Sequence, residues 1–295
     1  MNIGFVGVGS MGRAIIPLLV QAGYQVSAWN RSPAALCGLG QVNLLQTAQA
    51  VFAQQIVISM LADDQAVHEV LLDSGALAAA PRGCIHIVMS TLSPALMAQL
   101  ETAHAAAGVL LIAAPVFGIP AVAAKGELNI LAAGPARAID QVQPLFDVLG
   151  KKTWRLGEQP VQACIAKIAG NMMITQAIEA LAEASHLTQS YGVSTAAFIE
   201  LVTQTLFACP SYQRYGQNIV KGTYEPGFKL SLGLKDVRLA IDAAGAKGLS
   251  LPVANVVGSR MDVAVAQGLG DKDWSVLATL AHSSVFADSA CEPAQ

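Results

Sequence analysis

Residues 7–12 read Gly7-Val8-Gly9-Ser10-Met11-Gly12, three glycines at G-x-G-x-x-G spacing, directly after an apolar run at 3–6 and directly before a helical pattern. A strand that ends in such a turn and opens a helix suits the pyrophosphate of a dinucleotide. Gly7 allows the tight turn, Gly9 lets the backbone approach the phosphates, and Gly12 lets the helix pack on the strand. Ser10 and Met11 open the helix, where the first amides face an anion. Pro17, inside the same helical pattern, predicts a kink.

At the end of the second predicted strand the chain reads Trp29-Asn30-Arg31-Ser32. A carboxylate here would hold an adenosine ribose and repel a 2′-phosphate, and none is present. Arg31 can pair with that phosphate and lie on the adenine, and Ser32 can donate a hydroxyl hydrogen bond. Asn30, Arg31 and Ser32 therefore favour NADP(H) over NAD(H).

A second group of chemically capable residues lies far along the chain. Between Glu158 and Glu179 the only charged residue is Lys167, flanked by Ala163-Cys164-Ile165-Ala166 and Ile168-Ala169-Gly170. A solvated helix face does not have this composition, so the ammonium is expected to be partly desolvated, which makes it a functional candidate. Asn171 follows four residues later, so both side chains leave a helix on one face, and Gly170 leaves room for a small ligand.

These residues need a scaffold. From residue 1 to about 155, short β-branched runs alternate with helical patterns, which predicts a mostly parallel sheet covered by helices, a Rossmann-type α/β domain. Strands are expected over 3–6, 25–29, 55–59, 85–88, 109–112 and 127–132, and helices over 11–22, 64–72, 94–106 and 136–149. From residue 161 the periods are helical, beginning with an unbroken pattern up to 192 that reads as a long linking helix. Further helices are expected over 195–205, 234–245, 253–267 and 274–283. The predicted domains are 1–160, dinucleotide-binding, and 161–295, all-α.

Composition bounds the rest. The chain has 295 residues with a net charge of −3, 54% hydrophobic residues and 13% charged residues, against a usual charged share of about 25%. The scarcity of charge predicts surface buried in an oligomer, and the lack of a basic run excludes nucleic acid and anionic membranes as partners. Residues 105–124 are uncharged and long enough for a membrane span, but Gly108, Pro115, Gly118 and Pro120 break any continuous helix there. Five scattered cysteines, Cys37, Cys84, Cys164, Cys209 and Cys291, suit reduced thiols in the cytoplasm. His68, His86, His104, His186 and His282 have no spacing that suggests a metal site, and all read as structural or surface residues.

Four further segments give the chain a family resemblance. Ser90-Thr91-Leu92-Ser93-Pro94, Ala114-Pro115-Val116-Phe117-Gly118, Lys167-Ile168-Ala169-Gly170-Asn171 and Leu234-Lys235-Asp236-Val237 occur in the order found in the β-hydroxyacid dehydrogenases. The chain resembles that family over nearly its whole length. The resemblance implies a nicotinamide domain joined by a long helix to an all-helical domain, and a homodimer or homotetramer. It further implies that Lys167 is the acid/base, that Ser90 and Asn171 touch substrate, and that Met60, Leu61, Thr91 and Lys235 contact cofactor.

The chain departs from the pattern where the family carries Ser-Gly-Gly for a substrate carboxylate. Here Phe117-Gly118-Ile119 stands instead, which removes a hydroxyl and narrows or dries the pocket. The expected function is NADP(H)-dependent reduction of a small aldehyde or ketone, with Lys167 protonating the forming alkoxide. An imine reductase of the same architecture and a catalytically silent dinucleotide-binding module are the alternatives. The first generally carries Asp or Tyr in place of Lys167, and retention of Lys167, Asn171 and Lys235 together disfavours the second.

Overall fold

The computed structural model describes residues 1–282, and the chain falls into two compact units, Met1–Ile168 and Ala169 onward. The first is built on a sheet of β1 (Asn2–Val6), β2 (Gln25–Trp29), β3 (Val42–Leu44), β4 (Ile56–Ser59), β5 (Ile85–Val88), β6 (Leu110–Ala113), β7 (Val116–Phe117), β8 (Leu128–Ala133) and β9 (Gly150–Gly157). The strands are ordered β3-β2-β1-β4-β5-β6-β8-β7, with β9 against β8. From β3 to β6 every pairing is parallel. This 3-2-1-4-5-6 order is that of the doubly wound dinucleotide folds, whose ligand crevice opens at the strand C-termini where the order reverses, beside β1. β8 runs antiparallel to β6 and β7.

Helices α1 (Ser10–Gln21), α2 (Ala48–Phe52), α3 (Asp64–Val67), α4 (Pro94–Ala107), α5 (Pro120–Ala123) and α6 (Ala136–Leu149) cover the sheet. Strand residues alternate between two cores, because successive side chains point to opposite faces. Phe5 and Ile58 join Ile15 and Ile16 of α1 and Phe146 of α6 on one face. Val6 and Val57 join Phe52 of α2 and Met97 of α4 on the other. With both faces covered, β4 and β5 are buried throughout.

Helix α7 (Pro160–Ser190) runs 31 residues. The second unit continues with α8 (Thr195–Gln204), α9 (Pro210–Lys221), α10 (Leu230–Gly245), α11 (Pro252–Ala266) and a 3-10 helix, Trp274–His282. Its core holds Ile178, Leu181, Val237, Val257, Met261 and Trp274. Apart from an isolated bridge between Lys229 and Asp273, its described residues form no strand pairing.

The six expected strands are present, and their ends move by at most one residue. The sequence reading omits β3, β7 and β9, for visible reasons. β3 and β7 have only three and two residues. β9 is an exposed edge carrying Lys151, Lys152 and Arg155, so it lacks the apolar alternation of a half-buried strand. The helix expected over 64–72 changes character at His68, where α3 gives way to a π-helix, His68–Asp73. Helix α9 was not expected, since its polar run Tyr212-Gln213-Arg214 hides the period.

Helix α10 starts at Leu230 rather than at 234. Gly233 breaks the apolar pattern there, yet a Cβ on it would lie 2.7 Å from the Trp274 ring, so the glycine is what lets α10 meet that side chain. Residues 105–124 resolve into the end of α4, then β6, β7 and α5, and no helix among the described residues is long and apolar enough to cross a membrane. Of the sequence expectations, Ser283 and Cys291 lie outside the described residues, as does the side chain of His282.

Candidate active site

The parallel register sets the ends of the central strands level with one another. Val6 lies beside Trp29 and Ser59, and Ser59 beside Val88. Asn30, Gly7, Met60 and the segment at Ser90 therefore follow one another along the C-terminal edge of the sheet. Backbone bonds continue the ladder into these turns, from Gly7 N to Trp29 O at 3.1 Å and from Met60 N to Val6 O at 2.8 Å.

Each glycine of the first turn answers a distinct constraint. Gly7 has φ +94°, and a Cβ on it would meet the Met60 carbonyl oxygen at 2.3 Å. A Cβ on Gly12 would meet the Gly7 oxygen at 2.5 Å, so its absence lets α1 sit down on the turn. Above Gly9 an added Cβ meets nothing within 4 Å, which leaves its backbone approachable. Gly9 caps α1 without a side-chain hydrogen bond, and Ser10 and Met11 open the helix. Amides at a helix start without a side-chain acceptor, beside an unobstructed backbone, fit a pyrophosphate.

Asn30 belongs to this turn as much as to its own. Its Oδ1 accepts from Val8 N at 2.9 Å, and its Nδ2 donates to Ser32 O at 3.0 Å. Arg31 and Ser32 are exposed, and the Arg31 guanidinium lies 3.4 Å from Glu69 Oε2.

Ser90 is buried and its Oγ accepts from Leu61 N at 2.8 Å, which ties the Met60-Leu61 turn to the turn after β5. Thr91 is half-buried beside it. Below these turns lies a polar chain that sequence reasoning missed. His104 Nδ1 donates to Leu100 O at 2.6 Å, so its Nε2 accepts from His86 Nδ1 at 2.7 Å. His86 Nε2 then accepts from the Ser59 hydroxyl at 2.9 Å. A carbonyl can only accept, so every tautomer along the chain is fixed. Burial, and then the neighbouring His104, hold His86 well below the ordinary histidine range. Burial pushes His104 down to about 4 against the opposing bond to Leu100.

Lys167, on α7, is 8% exposed, and its ammonium lies over the Phe117 ring, 4.5 Å from the centroid. Phe117 itself packs at the edge of the second core of the sheet unit. Gly118 has φ +149°, and a Cβ there would meet Leu128 at 2.5 Å, so the turn between Phe117 and Ile119 requires glycine. Ile119 is half-buried and caps α5. Cys164, one turn before Lys167, is buried, and burial pushes its thiol up to about 12, which leaves it inert as a nucleophile.

In the helical unit, Asn171 is 2% exposed and its Nδ2 donates to Asp236 Oδ2 at 2.5 Å. The other carboxylate oxygen of Asp236 lies 3.0 Å from Lys235 Nζ. Asp236 is 1% exposed and sits two turns inside α10, so the Lys235-Asp236 pair is not a capping arrangement at a helix start. One buried carboxylate joins two of the expected site residues, and the only sequence signal for it was its place next to Lys235.

Residues 2–166 match the NAD binding domain of 6-phosphogluconate dehydrogenase, and residues 162–281 match the NAD-binding region of NADP-dependent 3-hydroxyisobutyrate dehydrogenase. The uncharacterized oxidoreductase YfjR of Bacillus subtilis is 38% identical over 282 residues, spanning 94% of this chain and 98% of its own. The 2-hydroxy-3-oxopropionate reductase of Escherichia coli is 30% identical over 281 residues, spanning 94% and 96%. Among solved structures, the 3-hydroxyisobutyrate dehydrogenase of Mycobacterium tuberculosis with L-serine superposes at a TM-score of 0.87 and 25% identity, spanning 96% of this chain and 99% of that one.

Proposed function

The chain belongs to the β-hydroxyacid dehydrogenase family of nicotinamide-dependent oxidoreductases, and on that footing we propose that it is an NADP(H)-dependent reductase of a small, semialdehyde-like aldehyde or ketone. The observation that carries the reading is Lys167, an ammonium 8% exposed on an otherwise uncharged stretch of helix. Burying an ammonium costs free energy that only pairing and hydrogen bonding offset, and a cation kept in such a place is a functional-site candidate. In this reading Gly7, Gly9, Ser10, Met11 and Gly12 hold the pyrophosphate, Arg31 and Ser32 take the 2′-phosphate, and Asn30 fixes both turns. Met60, Leu61, Thr91 and Lys235 line the cofactor.

When bound, the reduced nicotinamide supplies the hydride. Lys167 Nζ donates the proton to the forming alkoxide. Asn171 and Ser90 orient the substrate. Phe117 and Ile119 exclude water and donate no hydrogen bond, which favours a carbonyl compound with an apolar group over glyoxylate. Low charge content, together with exposed Met173, Leu187, Leu201 and Leu206, supports a homodimer or homotetramer. Four free cysteines among the described residues suit a reducing, cytoplasmic setting.

The test is turnover of NADPH and NADH with a panel of aldehydes, ketoacids and cyclic imines, for the unmodified protein and for Lys167→Ala. The variant is expected to lose about 10²–10⁴-fold in turnover while its NADPH affinity changes little. A variant that keeps more than about a tenth of the activity contradicts a general-acid role of that size.

A further inference from the structure

Arg31 is expected to be the residue that reads the 2′-phosphate, yet its guanidinium already faces an anion. Glu69 Oε2 lies 3.4 Å from Arg31 Nη1, while the other oxygen, Oε1, accepts from Gln65 Nε2 at 2.8 Å. Gln65 and Glu69 stand four residues apart, across the junction of α3 with the π-helix, so the carboxylate is held from its own segment and directed at the arginine. The turn bearing Arg31 is fixed in its turn by the bond from Val8 N to Asn30 Oδ1. Both members are exposed, the arginine side chain at 80% and the glutamate at 43%, so the pair adds little to stability and its effect lies in recognition.

We propose that Glu69 is a specificity-determining residue for the cofactor, competing with the 2′-phosphate for the Arg31 guanidinium and thereby narrowing the preference for NADP(H) over NAD(H). The carboxylate already faces Nη1, so a 2′-phosphate that reaches Arg31 must share the guanidinium with a like-charged group or displace it. A ribose bearing only a hydroxyl at the 2′ position does not compete for Arg31, so its binding is indifferent to Glu69. Selectivity is a difference of affinities, and a residue that opposes one ligand alone sets it as surely as one that attracts the other. The carboxylate missing from the end of β2 is thus supplied in part from the helical segment after β4.

The inference rests on the reading of Arg31 given above, and equilibrium binding separates the two. NADP⁺ and NAD⁺ are titrated calorimetrically at low salt against the unmodified protein, Glu69→Gln, Arg31→Ala and the double variant. Glutamine keeps the size of the side chain and its bond to Gln65. Glu69→Gln is expected to tighten NADP⁺ about 3–10-fold and to change NAD⁺ by less than about twofold. In the Arg31→Ala background the same exchange is expected to change NADP⁺ binding by less than about twofold. Unchanged or weaker NADP⁺ binding by Glu69→Gln overturns the proposal, as does a full effect without Arg31. Tighter NAD⁺ than NADP⁺ binding by the unmodified protein overturns the cofactor reading instead, and a tightening confined to NADP⁺ still upholds the role of Glu69.

Discussion

The ammonium of Lys167 rests on the face of the Phe117 ring, 4.5 Å from its centroid. The ring's negative face attracts the cation, an interaction of about 0.5–1 kcal/mol when exposed and about 2 or more when desolvated. Phe117 stands where relatives are expected to carry a hydroxyl for a substrate carboxylate. On the proposed reading, one side chain both removes a hydrogen bond from the substrate and gives the lysine its aromatic neighbour.

From this follows a prediction about the pocket. Phe117→Ser combined with Ile119→Gly is expected to raise kcat/KM for glyoxylate and succinic semialdehyde at least about tenfold, since a desolvated carboxylate without partners costs several kcal/mol. Activity on a larger apolar aldehyde is expected to fall. Steady-state kinetics with the three substrates decides it, and glyoxylate as best substrate of the unmodified protein, with no gain in the variant, refutes it.

Asp236 is expected to be a keystone of the helical unit. Asp236→Ala takes the acceptor from Asn171 and the counter-ion from Lys235 at a position 1% exposed. A loss of about 2–4 kcal/mol is expected, read as a lower urea midpoint. Asn171→Ala in the Asp236→Ala background should then cost less than it does alone, because the two share one bond. Additive losses would show that the contact carries no coupling.

The buried histidines predict acid sensitivity. In the unfolded chain both take up protons near pH 6.5, whereas in the fold burial holds His104 down to about 4 and His86 well below the ordinary histidine range. Stability is therefore complete above about 6.5 and declines as pH falls toward 4, by roughly 3 kcal/mol for His104 alone. Urea midpoints at pH 7.5, 6 and 5 measure the slope. A His86→Leu/His104→Leu double variant is expected to flatten it, and an equally steep slope in that variant would assign the acid sensitivity to other groups.

What the chain discloses before its structure is known follows from where each signal lies. Gly7, Gly9 and Gly12 are legible because three constraints fall within six residues of one another, and the buried strands because both faces need apolar side chains. Lys167 is legible from the absence of any other charge around it. The pairing of His86 with His104 is not, since one sits on a strand and the other on a helix, and either alone reads as an ordinary core or surface residue. Glu69 meets Arg31 across 38 residues, from a segment whose helical period is legible but whose π-helical turn is not. β9 escapes notice because an exposed edge strand carries charges, as edges exposed to solvent do.

The double use of the Asn30 amide bears on how such a protein can change over time. Its oxygen holds Val8 and its nitrogen holds Ser32, so the side chain must both accept and donate. Aspartate, the exchange that would most directly turn the turn toward a ribose hydroxyl, keeps the first bond and sets a carboxylate oxygen against the Ser32 carbonyl in place of the second. On the proposed NADP(H) reading, Asn30→Asp alone is therefore not a neutral step toward a ribose hydroxyl, because it gives up the bond to Ser32. A change at the Ser32 segment that removes this carbonyl from the side chain relieves the clash, so the effect of the exchange at position 30 depends on which of the two comes first.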